Sequence, residues 1–208
     1  MELISYVTLD QESAIERLNL AYLLLAREAL PHRVGRDAMG LEHNPDLCKR
    51  LVELSSAQAH RAAKCGFPLV GLRVDARQLS AMIESPTSTT PAKNSFSYVT
   101  AMQDALIQRL NADYLMIARD VGVHQVGRMI MGLEGDAALW RRLVSLTNTE
   151  IRRVIVFGLP LVGLRINERL LGMMTEVNRS QNVDAFSFLQ TLGDKSAVTS
   201  PITQIQGS

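Results

Sequence analysis

IERLNLAYLLLAR, residues 15–27, returns 92 positions later as IQRLNADYLMIAR, residues 107–119. Arg17, Leu18, Asn19, Tyr22, Ala26 and Arg27 answer to Arg109, Leu110, Asn111, Tyr114, Ala118 and Arg119. The offset holds without a gap as far as Glu84 and Glu176, and 33 of the 70 aligned pairs are identical. Identity that dense marks a tandem duplication, so two units of one kind are expected. The units are read as residues 1–84 and 97–192, joined by the Ser/Thr/Pro-rich linker 85–96 and followed by a tail, 193–208, with no apolar periodicity. A unit of this size buries only a modest core alone, so pairing of the two is the expected source of stability.

The quoted stretch predicts a helix. Ile15, Leu18, Tyr22, Leu25, Ala26 and Ala29 fall at helical spacing, and Leu20, Leu23 and Leu24 widen the apolar stripe around most of the circumference. Such a helix needs cover on more than one side, from its own repeat and from another subunit. Pro31 ends it in the first unit and Gly122 weakens the matching region of the second. VGRDAMGLE and VGRMIMGLE follow. Their paired glycines are read as a short helix punctuated by turns, because no Lys-Ser/Thr follows them and no strand pattern precedes them as a phosphate loop requires.

The next helix is expected to start at Asn44-Pro45 and at Asp136, both favoured capping residues. Leu47, Leu51 and Leu54 are its apolar positions, with Leu139, Leu143 and Leu146 in the second unit. SSAQ (55–58) and TNTE (147–150) each fit a capping box that opens another helix. Helix, tight turn, helix resembles in outline a DNA-binding helix-turn-helix. CGFPLVGLRVD and FGLPLVGLRIN are too short and too β-branched for helices and read as extended segments, each pairing with its twin. Asp75 and Asn167 then cap a last helix, and NVDAFSFLQTL (182–192) is read as one more amphipathic helix.

Little in the chain points to catalysis. No nucleophile elbow, metalloprotease, Walker or paired-carboxylate pattern is present, and no cofactor is expected. His43, Cys48, His60 and Cys65 have a metal-like spacing, but the second unit carries Gly135, Trp140, Arg152 and Phe157 there, so the shared fold does not require zinc and no metal site is expected. His32 and His124 lack a neighbouring carboxylate or nucleophile pattern and are read as structural or exposed. Two cysteines make no disulfide framework, and neither a leader peptide nor a membrane-length apolar run is found, so a reducing cytoplasmic setting is expected.

The basic residues carry more. Arg141, Arg142, Arg152 and Arg153, with Arg128 and Arg165, are candidate contacts to DNA phosphates or to a partner; Lys49, Arg50, Arg61, Lys64, Arg73 and Arg77 are their first-unit relatives. The competing reading is a solvated face, and the net charge is only +1, so affinity for nucleic acid would need a local patch or a partner.

The first-helix motif resembles that of the FlhD family, subunits of the bacterial flagellar master regulator, whose opening helix has the form I-x-x-[IL]-N-L-x-Y-L-L-L-A-[QR]. Met39-Gly40-Leu41, the Leu51–Ser55 break and Leu69-Val70-Gly71-Leu72-Arg73 resemble its later segments, and the second unit repeats all three. The resemblance implies a mainly α fold in which two tandem FlhD-like helical units, each with a short extended segment, form a pseudo-twofold dimer. Leu18, Tyr22, Leu25, Leu110, Tyr114 and Ile117 would build the interface. It also implies a transcriptional activator subunit working with a zinc-containing FlhC-like partner and recruiting RNA polymerase to promoter DNA of flagellar or conjugative-transfer genes. The family is ordinarily a single unit that dimerises, whereas two are fused here. Gly71 and Gly163 stand in the extended run where the family's dimer-linking cysteine is placed, which argues against a disulfide there. The alternative is an adaptor or anti-activator that sequesters a regulatory partner without touching DNA.

Overall fold

The computed structural model describes residues 9–84, 101–133, 135–156 and 160–176. The linker 85–96, the helix expected at 182–192 and the tail 193–208 lie outside the described residues.

The element order is α1 (Leu9–Ala29), α2 (Arg33–Met39), α3 (Pro45–Val52), α4 (Ser56–Ala63), β1 (Val70–Leu72) and α5 (Ala76–Glu84). It continues with α6 (Ala101–Val121), α7 (Gln125–Met131), α8 (Ala137–Val144), α9 (Asn148–Ile155), β2 (Val162–Leu164) and α10 (Glu168–Thr175). From α2 to β1, each element of the first half has a counterpart 92 residues further on with the same bounds. The fold is mainly α-helical.

The helix ends follow from local chemistry. α2 and α7 stop at Gly40 and Gly132, both left-handed (φ 68° and 69°), a conformation that costs glycine no Cβ clash. The Asn44 side chain caps α3 by accepting from the Leu47 amide, and Asp136 caps α8 by accepting from Ala138 and Leu139. Ser55–Gln58 and Thr147–Glu150 are both complete capping boxes. Asp75 accepts from the Gln78 amide and Asn167 from Leu170 at the last helix of each half.

One continuous core joins the halves. α1 packs against α6, and it also meets α2, α3 and α4; α6 likewise meets α7, α8 and α9. Leu18, Tyr22, Leu25, Leu110, Tyr114 and Ile117 are all buried in this core. These side chains are covered within the chain, while Leu20 and Leu24 on the same helix are only partly buried.

β1 and β2 pair antiparallel, with Val70 opposite Leu164, Gly71 opposite Gly163 and Leu72 opposite Val162. Two further bonds extend the ladder, from the Arg73 amide to the Leu161 carbonyl and from the Arg165 amide to the Leu69 carbonyl, each 2.8 Å. After the strands the helices change sides: α5 packs on α8 and α9, while α10 packs on α3 and α4. Each half thus lends its last described helix to the other. Arg61 fixes one exchange by donating from Nη2 and Nε to the Thr175 carbonyl (3.0 and 3.3 Å).

The polar residues inside this core are placed for the strands. Asn19 is fully buried; its amide nitrogen donates to the carbonyls of Ala63 (3.2 Å) and Phe67 (2.8 Å), and its Oδ1 accepts from the Leu69 amide (2.8 Å). Asn111 accepts from Leu161 in the same way (2.9 Å). Without these bonds the segment entering each strand would bury unpaired backbone groups. Tyr22 and Tyr114 are also fully buried, with each phenol oxygen against the backbone of the opposite half's strand, at Leu164 and at Leu72, but in poor hydrogen-bond geometry. Burial raises both phenols, Tyr114 to about 12, so both are neutral at physiological pH.

Candidate nucleic-acid and partner interface

α8 and α9 hold the arginine candidates. Ile151 and Val154 anchor α9 in the core, which leaves Thr149, Arg152, Arg153 and Val156 exposed at the i, i+3, i+4, i+7 spacing of one stripe. Arg141 is exposed on α8, with its Nε donating to the Ala137 carbonyl one turn back (3.1 Å).

The other three candidates are engaged within the chain. Arg142 Nη2 is 2.9 Å from Glu150 Oε1, and both side chains are partly shielded. Glu150 also receives the Thr147 amide and hydroxyl (2.8 Å each). Those Thr147 bonds, with Arg142 adding to them, hold its carboxyl down at about 2. Arg128 lies over the Trp140 ring, 4.1 Å from its centroid. Arg165 is half-buried and donates to the Ile130 carbonyl (2.9 Å), its guanidinium lying where a Cβ on Gly132 would sit and its stem over Gly71. Arg73 behaves alike in the first half, donating to the Ala38 carbonyl beside Gly40. Burial is the main influence on Arg73 and lowers its pKa.

Of the six arginines, then, Arg141, Arg152 and Arg153 are exposed for a partner, while Arg128, Arg142 and Arg165 have internal contacts. The signal that singled out Arg165 was charge alone. The glycines at 40 and 132, present in both halves, were the clue that an arginine shelters there. Sequence reasoning also missed Trp140, half-buried on α8, whose Nε1 donates to the Gly122 carbonyl (2.6 Å). In the first half its place is taken by Cys48, buried, with its thiol against the Leu41 carbonyl (3.3 Å).

Among the described residues no group of three or more His, Cys, Asp or Glu side chains is placed to hold a metal ion. His43 and His60 are exposed; Cys65 donates to the Phe67 carbonyl at 3.1 Å, and burial pushes its thiol up to about 12. No helix among the described residues is long and apolar enough to cross a membrane.

The described residues form a helical scaffold in which α9 follows α8 after a tight turn and exposes Arg152 and Arg153. Residues 4–105 match the family described as flagellar transcriptional activator (FlhD). The chain therefore has an FlhD-like domain in its N-terminal half. No curated protein and no solved structure matches the chain. Proteins of the FlhD family are non-enzymatic regulatory subunits that act with an FlhC partner as transcriptional activators at flagellar genes.

Proposed function

We propose that the chain is a transcriptional activator subunit in which residues 97–192 supply a second FlhD-like unit, so that one polypeptide does the work of a pseudo-twofold dimer. The observation that carries this reading is the FlhD-like match over residues 4–105 together with the recurrence of the same element series 92 residues on. The mutual exchange of α5 and α10 supports it, because it gives each half a complete set of packing partners. A cytoplasmic chain of this kind acts with a zinc-containing FlhC-like subunit and RNA polymerase at promoters of flagellar or conjugative-transfer genes. Arg141, Arg152 and Arg153 are the residues that meet promoter DNA within that complex, as positioning contacts to phosphate.

The test is a promoter gel shift with this protein alone, an FlhC-like subunit alone, and both. A shift that requires both is expected. Arg152→Glu with Arg153→Glu should weaken it and reduce its salt dependence. Unchanged binding with an unchanged salt slope would make α9 a surface without a DNA role. A second reading, an adaptor that sequesters a regulatory partner, is favoured by one specific observation: Arg128, Arg142 and Arg165 have contacts inside the chain, in a protein of net charge +1. A stable complex with the FlhC-like subunit and no shift at any promoter would select it.

A further inference from the structure

The two halves differ at the corner where the first long helix turns into the short one. In the second half Gly122, at the end of α6, accepts the Trp140 indole N–H, and Arg128 of α7 covers the ring at 4.1 Å. Val123, the next residue, is the most exposed large apolar side chain among the described residues, at 57%. The first half has Pro31 in place of Val123 and the buried Cys48 in place of Trp140, and its Arg36 turns to the Leu30 carbonyl (3.3 Å). Tryptophan and arginine are enriched at protein–protein hot spots, and here the two stack beside an exposed valine.

We propose that Val123, Arg128 and Trp140 form a docking surface for an acidic protein segment bearing aliphatic side chains, and that each chain has one such surface. Charge complementarity selects the occupant. Around the corner the acidic residues are Asp120, Glu134, Asp136 and Glu150, and Asp120 is paired with Arg119 (3.1 Å). Of the acids, Asp136 is taken by the cap of α8 and Glu150 by the cap of α9 and Arg142; Glu134 lies outside the described residues. Among the described residues no carboxylate is paired with Arg128, which leaves its guanidinium edge able to take one from a partner. The apolar share of the corner favours protein over nucleic acid: Val123 gives a phosphate backbone nothing to bind, and one face of the indole is covered by Arg128 and is closed to a stacking base. The proposal stands on this corner alone and does not depend on DNA contact by α9.

Trp140 is the single tryptophan of the chain, so its emission reports on the site directly. The full-length protein is titrated with a short synthetic peptide of Glu and Leu, with a Lys/Leu peptide of the same pattern, and with duplex DNA. A saturable change with the Glu/Leu peptide alone is expected, at one peptide per chain. Arg128→Ala and Val123→Ser should each weaken it, by about tenfold for the arginine. Pro31→Ser, at the matching place in the first half, and Arg152→Ala with Arg153→Ala should leave it unchanged. Far-UV circular dichroism checks the fold; if Arg128→Ala unfolds, Val123→Ser, whose side chain is exposed, carries the test. The proposal is overturned if no saturable change occurs, if these variants bind as the parent does, or if DNA produces the same change and displaces the peptide.

Discussion

Arg61 and Arg153 occupy the same place in α4 and α9, yet Arg61 reaches across to the Thr175 carbonyl at the end of α10 while Arg153 is exposed. Gln58 and Glu150 fill the same capping position, but only Glu150 titrates and only it has an ion partner, Arg142. Cys48 is buried where Trp140 carries an arginine on its face. Against these stand Asn19 and Asn111, Tyr22 and Tyr114, and Arg73 and Arg165, which are identical and placed alike. These six residues are the same in both halves, whereas the buried Ala59 and Ala62 answer to Ile151 and Val154, so the halves differ inside as well as outside. Each half has its own codons, so the two can differ where the subunits of a homodimer cannot.

The largest effects should come from positions where the halves are alike. A Cβ at Gly35 or Gly127 would collide with the carbonyl oxygen of Ala29 or Val121, backbone atoms that no rotamer change can move. Gly35→Val and Gly127→Val should each cost about 4 kcal/mol or more, and by similar amounts. Denaturant melts followed by circular dichroism should show one transition for both variants, since the core is continuous. Two steps, with half the helical signal surviving the first, would break the comparison by making the halves separate folding units.

Next in size is Asn19→Ala, which takes the partner from the buried Ala63 carbonyl and Leu69 amide while the Phe67 carbonyl keeps the Cys65 thiol, and should cost about 2–3 kcal/mol in urea unfolding. A loss below about 1 kcal/mol would mean that water replaces the amide. Smaller again is the contrast between Arg61→Ala, expected to lower stability by about 1–2 kcal/mol through the lost tether to α10, and Arg153→Ala, expected within about 0.5 kcal/mol of the parent. Equal effects would remove the functional distinction between these arginines.

The smallest effect is the pH dependence of the second capping box. The Glu150 carboxyl is held at about 2 against an ordinary 4.5, so its contribution is complete above about pH 4.5 and is lost as pH falls through that interval. Acid titration of stability should show a loss of about 1 kcal/mol at most, absent in Glu150→Gln and unchanged in Gln58→Ala. A Glu150→Gln variant with the full acid-induced loss would move the effect to another carboxylate.

Much of the fold was legible because its signals are local. Asn44, Asp136, Ser55, Thr147, Asp75 and Asn167 announce their helices by chemistry that acts over three or four residues. The pairing of the extended runs followed from their being short, apolar and duplicated. The exchange of α5 and α10 was not legible, because Leu79, Met82 and Ile83 show that a face is buried and not which half buries it. The arginines failed for the same reason. A positive charge in a sequence is equally consistent with Arg152 in solvent and with Arg165 folded over a glycine turn. The distinguishing information lay in Gly40 and Gly132, far away in the chain.

The exchange of terminal helices also bears on how the chain is made. When the ribosome has released α5, the surfaces on α8 and α9 that receive it have not been synthesised, and roughly 70 residues remain to be added. At ordinary elongation rates that is on the order of ten seconds. Throughout it the nascent first half presents β1 as an unpaired edge and the apolar side of α5 to whatever is near. Its chief hazard is pairing with the first half of another nascent chain on the same message. A long spacer postpones the correct partner, so shortening the segment between α5 and α6 should favour self-pairing during translation over capture by a neighbour.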